Sequence, residues 1–178
     1  SIAAVVHLGE LSLDGRLRPV AGVLPAVLAA RRAGARAVVV PSGNAAEAGL
    51  VPGIRVIGSP SLRDVLIGHG AALDPVPVEA LAAPEAGSAP SEGGDLADVV
   101  GHPEEVEALQ VAAAGGHHML MLGPPGAGKT LLASRLPGLL PDLEPDAAVE
   151  VSSIRSLAGL PLGSSLVTRP PLEAPHHS

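Results

Sequence analysis

The stretch MLMLGPPGAGKT, Met119 to Thr130, limits what this chain can fold into more than any other. The apolar segment His118 to Leu122 reads as a strand. It runs directly into Gly123-Pro124-Pro125-Gly126-Ala127-Gly128-Lys129-Thr130, a full match to G-x-x-x-x-G-K-[ST]. A helix from about Gly128 to Leu136 follows. Strand, glycine loop and helix in that order belong to an α/β fold whose loop holds phosphate. Glycines let the backbone curl into a nest of inward N–H groups, and the helix N-terminus adds a partial positive charge. Lys129 is then the mobile cation for the β- and γ-phosphates, and the Thr130 hydroxyl the magnesium ligand. All eight residues form a candidate site for ATP and Mg2+. A chain with 22 glycines can match such a pattern by chance, but chance does not also set strand, lysine, threonine and helix in order.

Composition removes several other functions. The chain has no Phe, Tyr or Trp, so its core must be built from Ala, Val, Leu and Ile, and base stacking on aromatic side chains is excluded. Without cysteine there are no disulfides, thiolate metal sites or Cys nucleophiles. Apolar runs such as Ala35 to Pro41 are too short to span a bilayer, and no basic-then-apolar leader opens the chain. A soluble cytoplasmic protein with no membrane partner is the expectation. Residues 1–80 carry seven Arg against six Asp or Glu, whereas residues 81–178 carry four basic against twelve acidic side chains. An acidic second half repels a phosphate backbone, so any nucleic-acid contact needs a local patch or surface lying elsewhere. The opening at Ser and the ending at APHHS point to a piece of a longer protein.

The order of elements divides the chain in two. Residues 2–20 read as strand, turn, strand, with Asp14-Gly15 at the turn. VLPAVLAARRAGA places Leu24, Val27, Leu28 and Arg31 at helical spacing, with Gly34 as its stop. A strand at Ala37 to Val40, a short helix at Ala45 to Leu50 and a strand at IRVIG follow, and Ser61 and Asp64 form a capping box for a helix from Leu62 to Ile67. Residues 1–72 thus make an α/β domain. Residues 73–94, rich in Pro, Ala, Gly and Ser, read as a linker, and residues 95–178 as the second domain. There Pro103 opens a helix with Val106, Leu109, Gln110 and Ala113 on one face, closed by Gly115-Gly116, and a last helix is expected from about Pro145 to Leu157.

Turnover needs more than a phosphate cradle. A carboxylate at the end of a neighbouring apolar strand must hold magnesium and polarise water, and an arginine must offset transition-state charge. The carboxylates after Thr130 are Asp142, Glu144, Asp146, Glu150 and Glu173; the first three sit in a proline-broken loop and Glu150 on a helix surface. Catalytic residues therefore stay unassigned. Adjacent strand residues point to opposite faces, so neither His117-His118 nor His176-His177 chelates a metal as a unit. Arg31, Arg32 and Arg36 read as a solvated helix end rather than a DNA contact.

The string DLADVVGHPEEVEALQVAAAGGHHMLMLGPPGAGKTLLASRLPGLLP, with Ser-Leu-Ala-Gly-Leu and RPPLEAPHHS after it, resembles the magnesium-chelatase-like AAA+ ATPases of bacteria, the ComM-like competence group. HLGELSLDGRLRPVAGVLPAVLAARRAGARAVVVPSGNAAEAGLV resembles the latter part of the Lon-protease-like domain, of ribosomal S5 domain 2-like fold, that precedes the ATPase core in that family. The resemblance implies a partial Lon-like α/β domain followed by the N-terminal part of a P-loop AAA+ α/β domain. It also implies a hexameric ring that binds ATP and Mg2+ between subunits and acts on branched DNA. Val99 to His102 match the segment that approaches the nucleotide base, with His at 102 where Gln is common. The only lysine in the chain is Lys129, so the Ser-Lys dyad of true Lon proteases is missing and the first half reads as structural. Two other functions compete: a magnesium-chelatase ATPase subunit, and a nucleotide-binding scaffold that does not turn over.

Overall fold

The computed structural model describes residues 4–82, 94–160 and 162–173. Those residues gather into two compact units, one drawn from 1–87 and 149–166, the other from 88–148 and 167–178.

The first unit runs β1 (Val5–His7), β2 (Glu10–Leu11), β3 (Leu17–Arg18), α1 (Val23–Arg32), β4 (Ala37–Pro41), a 3-10 turn at Ser42–Asn44, α2 (Ala45–Ala48), β5 (Arg55–Ser59) and α3 (Leu62–Gly68). Its main sheet has the order β1-β4-β5 and is parallel, with Val5 opposite Ala37 and Val39 opposite Ile57. Parallel neighbours cannot be joined by a tight turn, so α1 and α2 serve as the crossovers. All five residues of the central strand β4 are buried, as its unbroken apolar sequence requires. Val23, Leu24 and Val27 of α1 pack with Val38 and Val40 of β4, Ala48 and Val51 into the core. Gly34 ends the α1 turn at φ 84°, and Ser61 Oγ caps α3 by accepting from the Asp64 N–H at 3.2 Å.

One expectation for this unit is corrected. The first strand does not fold back on RLRPV as a whole; β1 pairs with β4, and only Glu10–Leu11 forms the hairpin with Leu17–Arg18. The split falls at Leu8-Gly9. Leu8 N still donates to Val39 O at 2.9 Å, but Gly9 turns away at φ 135°, where a Cβ would stand 2.8 Å from Pro41 Cγ. Only glycine tolerates both that φ and that approach.

The second unit contains a 3-10 turn at Leu96–Asp98, α4 (Pro103–Gly115), α5 (Lys129–Leu139) and the start of α6 (Pro145–Leu157). Helix α4 opens at Pro103 and closes on left-handed Gly116, φ 62°. It packs on α5 and buries Leu109, Ala112 and Ala113, while Gln110 is exposed, a shift from the expected face that leaves its amide in water. The strand expected at His118–Leu122 is not formed: these residues pair with nothing among the described residues, and Leu120 and Leu122 are 81% and 85% exposed. A strand exists only where its N–H and C=O groups find a second chain segment, and apolar sequence does not supply one.

Residues 149–166 belong with the first unit, a placement that a division by sequence order at 73–94 does not give. Gly22 N donates to Ser156 O at 2.9 Å, the Glu47 carboxylate accepts from Ser156 Oγ, and Leu162 and Leu166 lie against the core. Glu47 also accepts from Leu24 N at 2.9 Å, placing its negative charge at the positive end of α1.

The 4%-exposed Asn44 fastens the entry to α1. Its Oδ1 accepts from Val20 N at 2.9 Å and its Nδ2 donates to Val20 O at 3.0 Å. Replacing Asn44 by Ala strands both backbone groups and is expected to cost about 1–3 kcal/mol in urea denaturation. A change within measurement error would show that water replaces the amide.

Candidate nucleotide-binding site

The chain enters the loop from Leu122 without a ladder and turns on Pro124, whose carbonyl accepts from Ala127 N at 3.3 Å. Gly126 and Gly128 are both left-handed, at φ 82° and 74°. That pair of reversals carries the backbone into α5, where Leu132 N donates to Gly128 O at 3.0 Å. Among the described residues no side chain caps α5, and no acid lies in its first turn, so its leading N–H groups present their partial positive charge to the loop. Lys129 Nζ folds back over the loop and donates to Gly123 O and Pro124 O, 2.8 Å each. The ammonium thus stands at the mouth of the turn, held by two weak carbonyl partners that a phosphate oxygen outbids as an acceptor. Thr130 is exposed, and no hydrogen bond holds its hydroxyl among the described residues. An anionic phosphate group with a hard cation fits this donor set.

Of the segment Val99 to His102, the structure brings His102 beside the loop. His102 adopts φ 57°, rare for a residue with a side chain, and heads α4. Its Nε2 lies 3.6 Å from where a Cβ on Gly128 would sit, and its Nδ1 stands 3.6 Å from Glu105 Oε1. Arg135, which the sequence did not single out, ties the preceding turn to the loop helix. Its guanidinium lies 4.0 Å from Asp98 Oδ2 and directly under Gly94, where a Cβ would come within 2.7 Å of Cζ. The side chain is 17% exposed and its Nε is buried with no hydrogen-bond partner among the described residues. No spacing rule points to Arg135, because its partners at Gly94 and Asp98 are remote in sequence. Asp142 pairs with Arg169 Nε at 3.3 Å, and among the described residues none of Asp142, Glu144 and Asp146 bonds to Lys129 or Thr130.

Known proteins match both parts of the chain. A family described as magnesium chelatase, subunit ChlI, matches residues 95–178, and one described as subunit ChlI of Mg-chelatase matches residues 1–44. Competence protein ComM of Haemophilus influenzae is 40% identical over 172 residues, covering 96% of this chain and 34% of that protein. The chain belongs to the magnesium-chelatase-like family that includes ComM. An uncharacterized protein of Mycobacterium tuberculosis is 53% identical over 175 residues, 96% of this chain and 33% of its own length. A Lon protease of Heliobacterium modesticaldum is 39% identical over 87 residues, 46% of this chain and 10% of that enzyme. The chain therefore spans about a third of the length of the curated ComM-type relatives it matches. The fold class is that expected from the resemblance: an α/β chain with a parallel sheet, Lon-like and AAA+-like in its parts.

In this magnesium-chelatase-like chain the loop depends on backbone that glycine alone adopts cheaply. A Cβ on Gly126 meets nothing within 4 Å and one on Gly128 meets only an ordinary contact, so substitution acts through φ and not through crowding. Gly128→Ala is expected to destabilise by about 1–2 kcal/mol, and Gly128→Asn by less, in thermal or chemical denaturation. Equal stability of Gly128→Ala and the parent would mean the loop does not hold this turn.

Proposed function

We propose that this chain carries the ATP-binding part of an AAA+ ATPase motor, with Gly123, Pro124, Pro125, Gly126, Ala127, Gly128, Lys129 and Thr130 as its phosphate loop. One observation carries the reading: Lys129 Nζ sits 2.8 Å from the Gly123 and Pro124 carbonyls, above two left-handed glycines and at the uncapped head of α5. Lys129 exchanges those carbonyls for β- and γ-phosphate oxygens, the loop N–H groups and the α5 terminus hold the remaining negative charge, and the Thr130 hydroxyl ligates Mg2+. Mg2+ held by Thr130 would offset the phosphates' negative charge. Arg135, through Asp98 and Gly94, positions the segment ending at His102 beside Gly128, where a base would lie.

In the whole protein the motor is a cytoplasmic hexameric ring that remodels branched DNA. The similarity to a competence protein supports that reading, and the Walker B carboxylate and the arginine finger of the motor belong to its part outside residues 95–178. The Lon-like part, separated by the 73–94 linker, is structural. A second reading, a scaffold that binds nucleotide without turnover, is favoured by the pairing of Asp142 with Arg169 while Lys129 donates to loop carbonyls and to no carboxylate among the described residues.

Calorimetry with ATP and Mg2+, beside phosphate release, tests the phosphate-loop assignment. The chain is expected to bind ATP in a magnesium-dependent way, and Lys129→Ala to bind roughly 10–100-fold more weakly, the loss of a charge-assisted hydrogen bond. No phosphate release is expected from either. Unchanged binding in the variant would sink the assignment of Lys129, and lysine-dependent release would place a magnesium carboxylate within this chain.

A further inference from the structure

The adjacent histidine pairs attract attention in the sequence, but the structure joins two others. His7, the last residue of β1, and His69, the C-cap of α3, are 62 positions apart, and their Nε2 atoms stand 2.8 Å from each other. The ring centroids are 5.0 Å apart and the planes inclined at 51°. Both residues are exposed, while both backbones are anchored: His7 lies opposite Val39 in the sheet, and His69 N donates to Val65 O and Leu66 O at 3.1 Å.

We propose that His7 and His69 form a binding site for a divalent transition ion of the zinc, nickel or copper class, which ties β1 to α3. Neutral imidazole nitrogens are borderline-soft donors suited to these ions, and carry no preference for the hard Mg2+ that the phosphate loop would take. Two ring nitrogens at about 2.0–2.1 Å from one ion stand about 2.9 Å apart at a right angle and about 3.3 Å apart at the tetrahedral angle. The observed 2.8 Å therefore needs an opening of about half an ångström at most, which rotation of two exposed rings provides. Without metal the same separation is that of an N–H···N hydrogen bond, one ring donating and the other accepting, which already holds the pair in place. No group of three or more His, Cys, Asp or Glu able to hold a metal occurs among the described residues, so water fills the remaining positions. An ion bound only by the folded pair stabilises the first unit by mass action.

The test is nickel and zinc titration calorimetry, with thermal unfolding in the same ions, on the full chain and on His7→Gln, His69→Gln, the double variant and His117→Gln/His118→Gln. Substitutions at exposed rings leave the fold intact, which circular dichroism checks. Losing either ligand of a chelating pair is expected to weaken one binding event by about tenfold or more, since even outer-shell partners cost that much. The double variant should lose no more than the singles, the metal-induced rise in unfolding temperature should vanish in all three, and the 117/118 variant should keep it. A metal response unchanged in the His7 and His69 variants, or lost only with His117 and His118, would overturn the proposal. So would a His7-dependent response to Mg2+.

Discussion

Strand β4 is held on both edges and both faces, and the first unit is organised by that confinement. Its neighbours β1 and β5 take its hydrogen bonds, while α1 and its own flanking segments take its side chains. A strand so enclosed can offer no polar group that its ladder does not satisfy, which is why Ala-Val-Val-Val-Pro suffices. Parallel pairing then demands crossovers, and the alternation of helix and strand from Val23 to Gly68 is the consequence. Even the break at Gly9 follows, because the chain leaving β1 must pass within contact of Pro41 at the end of β4.

The second layer of organisation is polar and small. In the turn and short helix after β4, Asn44 fastens Val20 and Glu47 fastens Leu24, so the crossover helix α1 is positioned by side chains from the following crossover. Glu47 also takes the Ser156 hydroxyl, and Ser152 and Ser156 are buried where larger side chains would keep this stretch off the core. A Cβ on Gly22 would already press Leu157 at 3.0 Å. Few strong bonds are involved; close approach is what permits them.

The phosphate loop obeys a different logic. Little is buried there, and its shape rests on two left-handed glycines, one lysine folded onto two carbonyls, and a helix terminus left without a cap. Unsatisfied donors and a loosely held cation cost stability in a loop that binds nothing, and are useful in one that takes an anion. Arg135, His102 and Gly94 show how the surroundings are referred to that loop by packing and not by sequence proximity.

Much of this was legible in the residues. The helices beginning at Val23, Leu62, Pro103 and Pro145 were set by period, caps and prolines, because capping bonds and φ limits act within four residues. The loop was legible for the same reason: its glycines, lysine and threonine act on one another locally. What periodicity could not decide was pairing. Val5–His7 chose β4 over its own hairpin, and His118–Leu122 found no partner among the described residues, since apolar alternation names a strand but not its neighbour. Nor could sequence bring Ser156 to Glu47, Arg135 to Gly94, or His7 to His69. Those contacts join residues far apart in the chain, and only the folded path of the backbone, fixed by the burial of β4, determines which distant side chains meet.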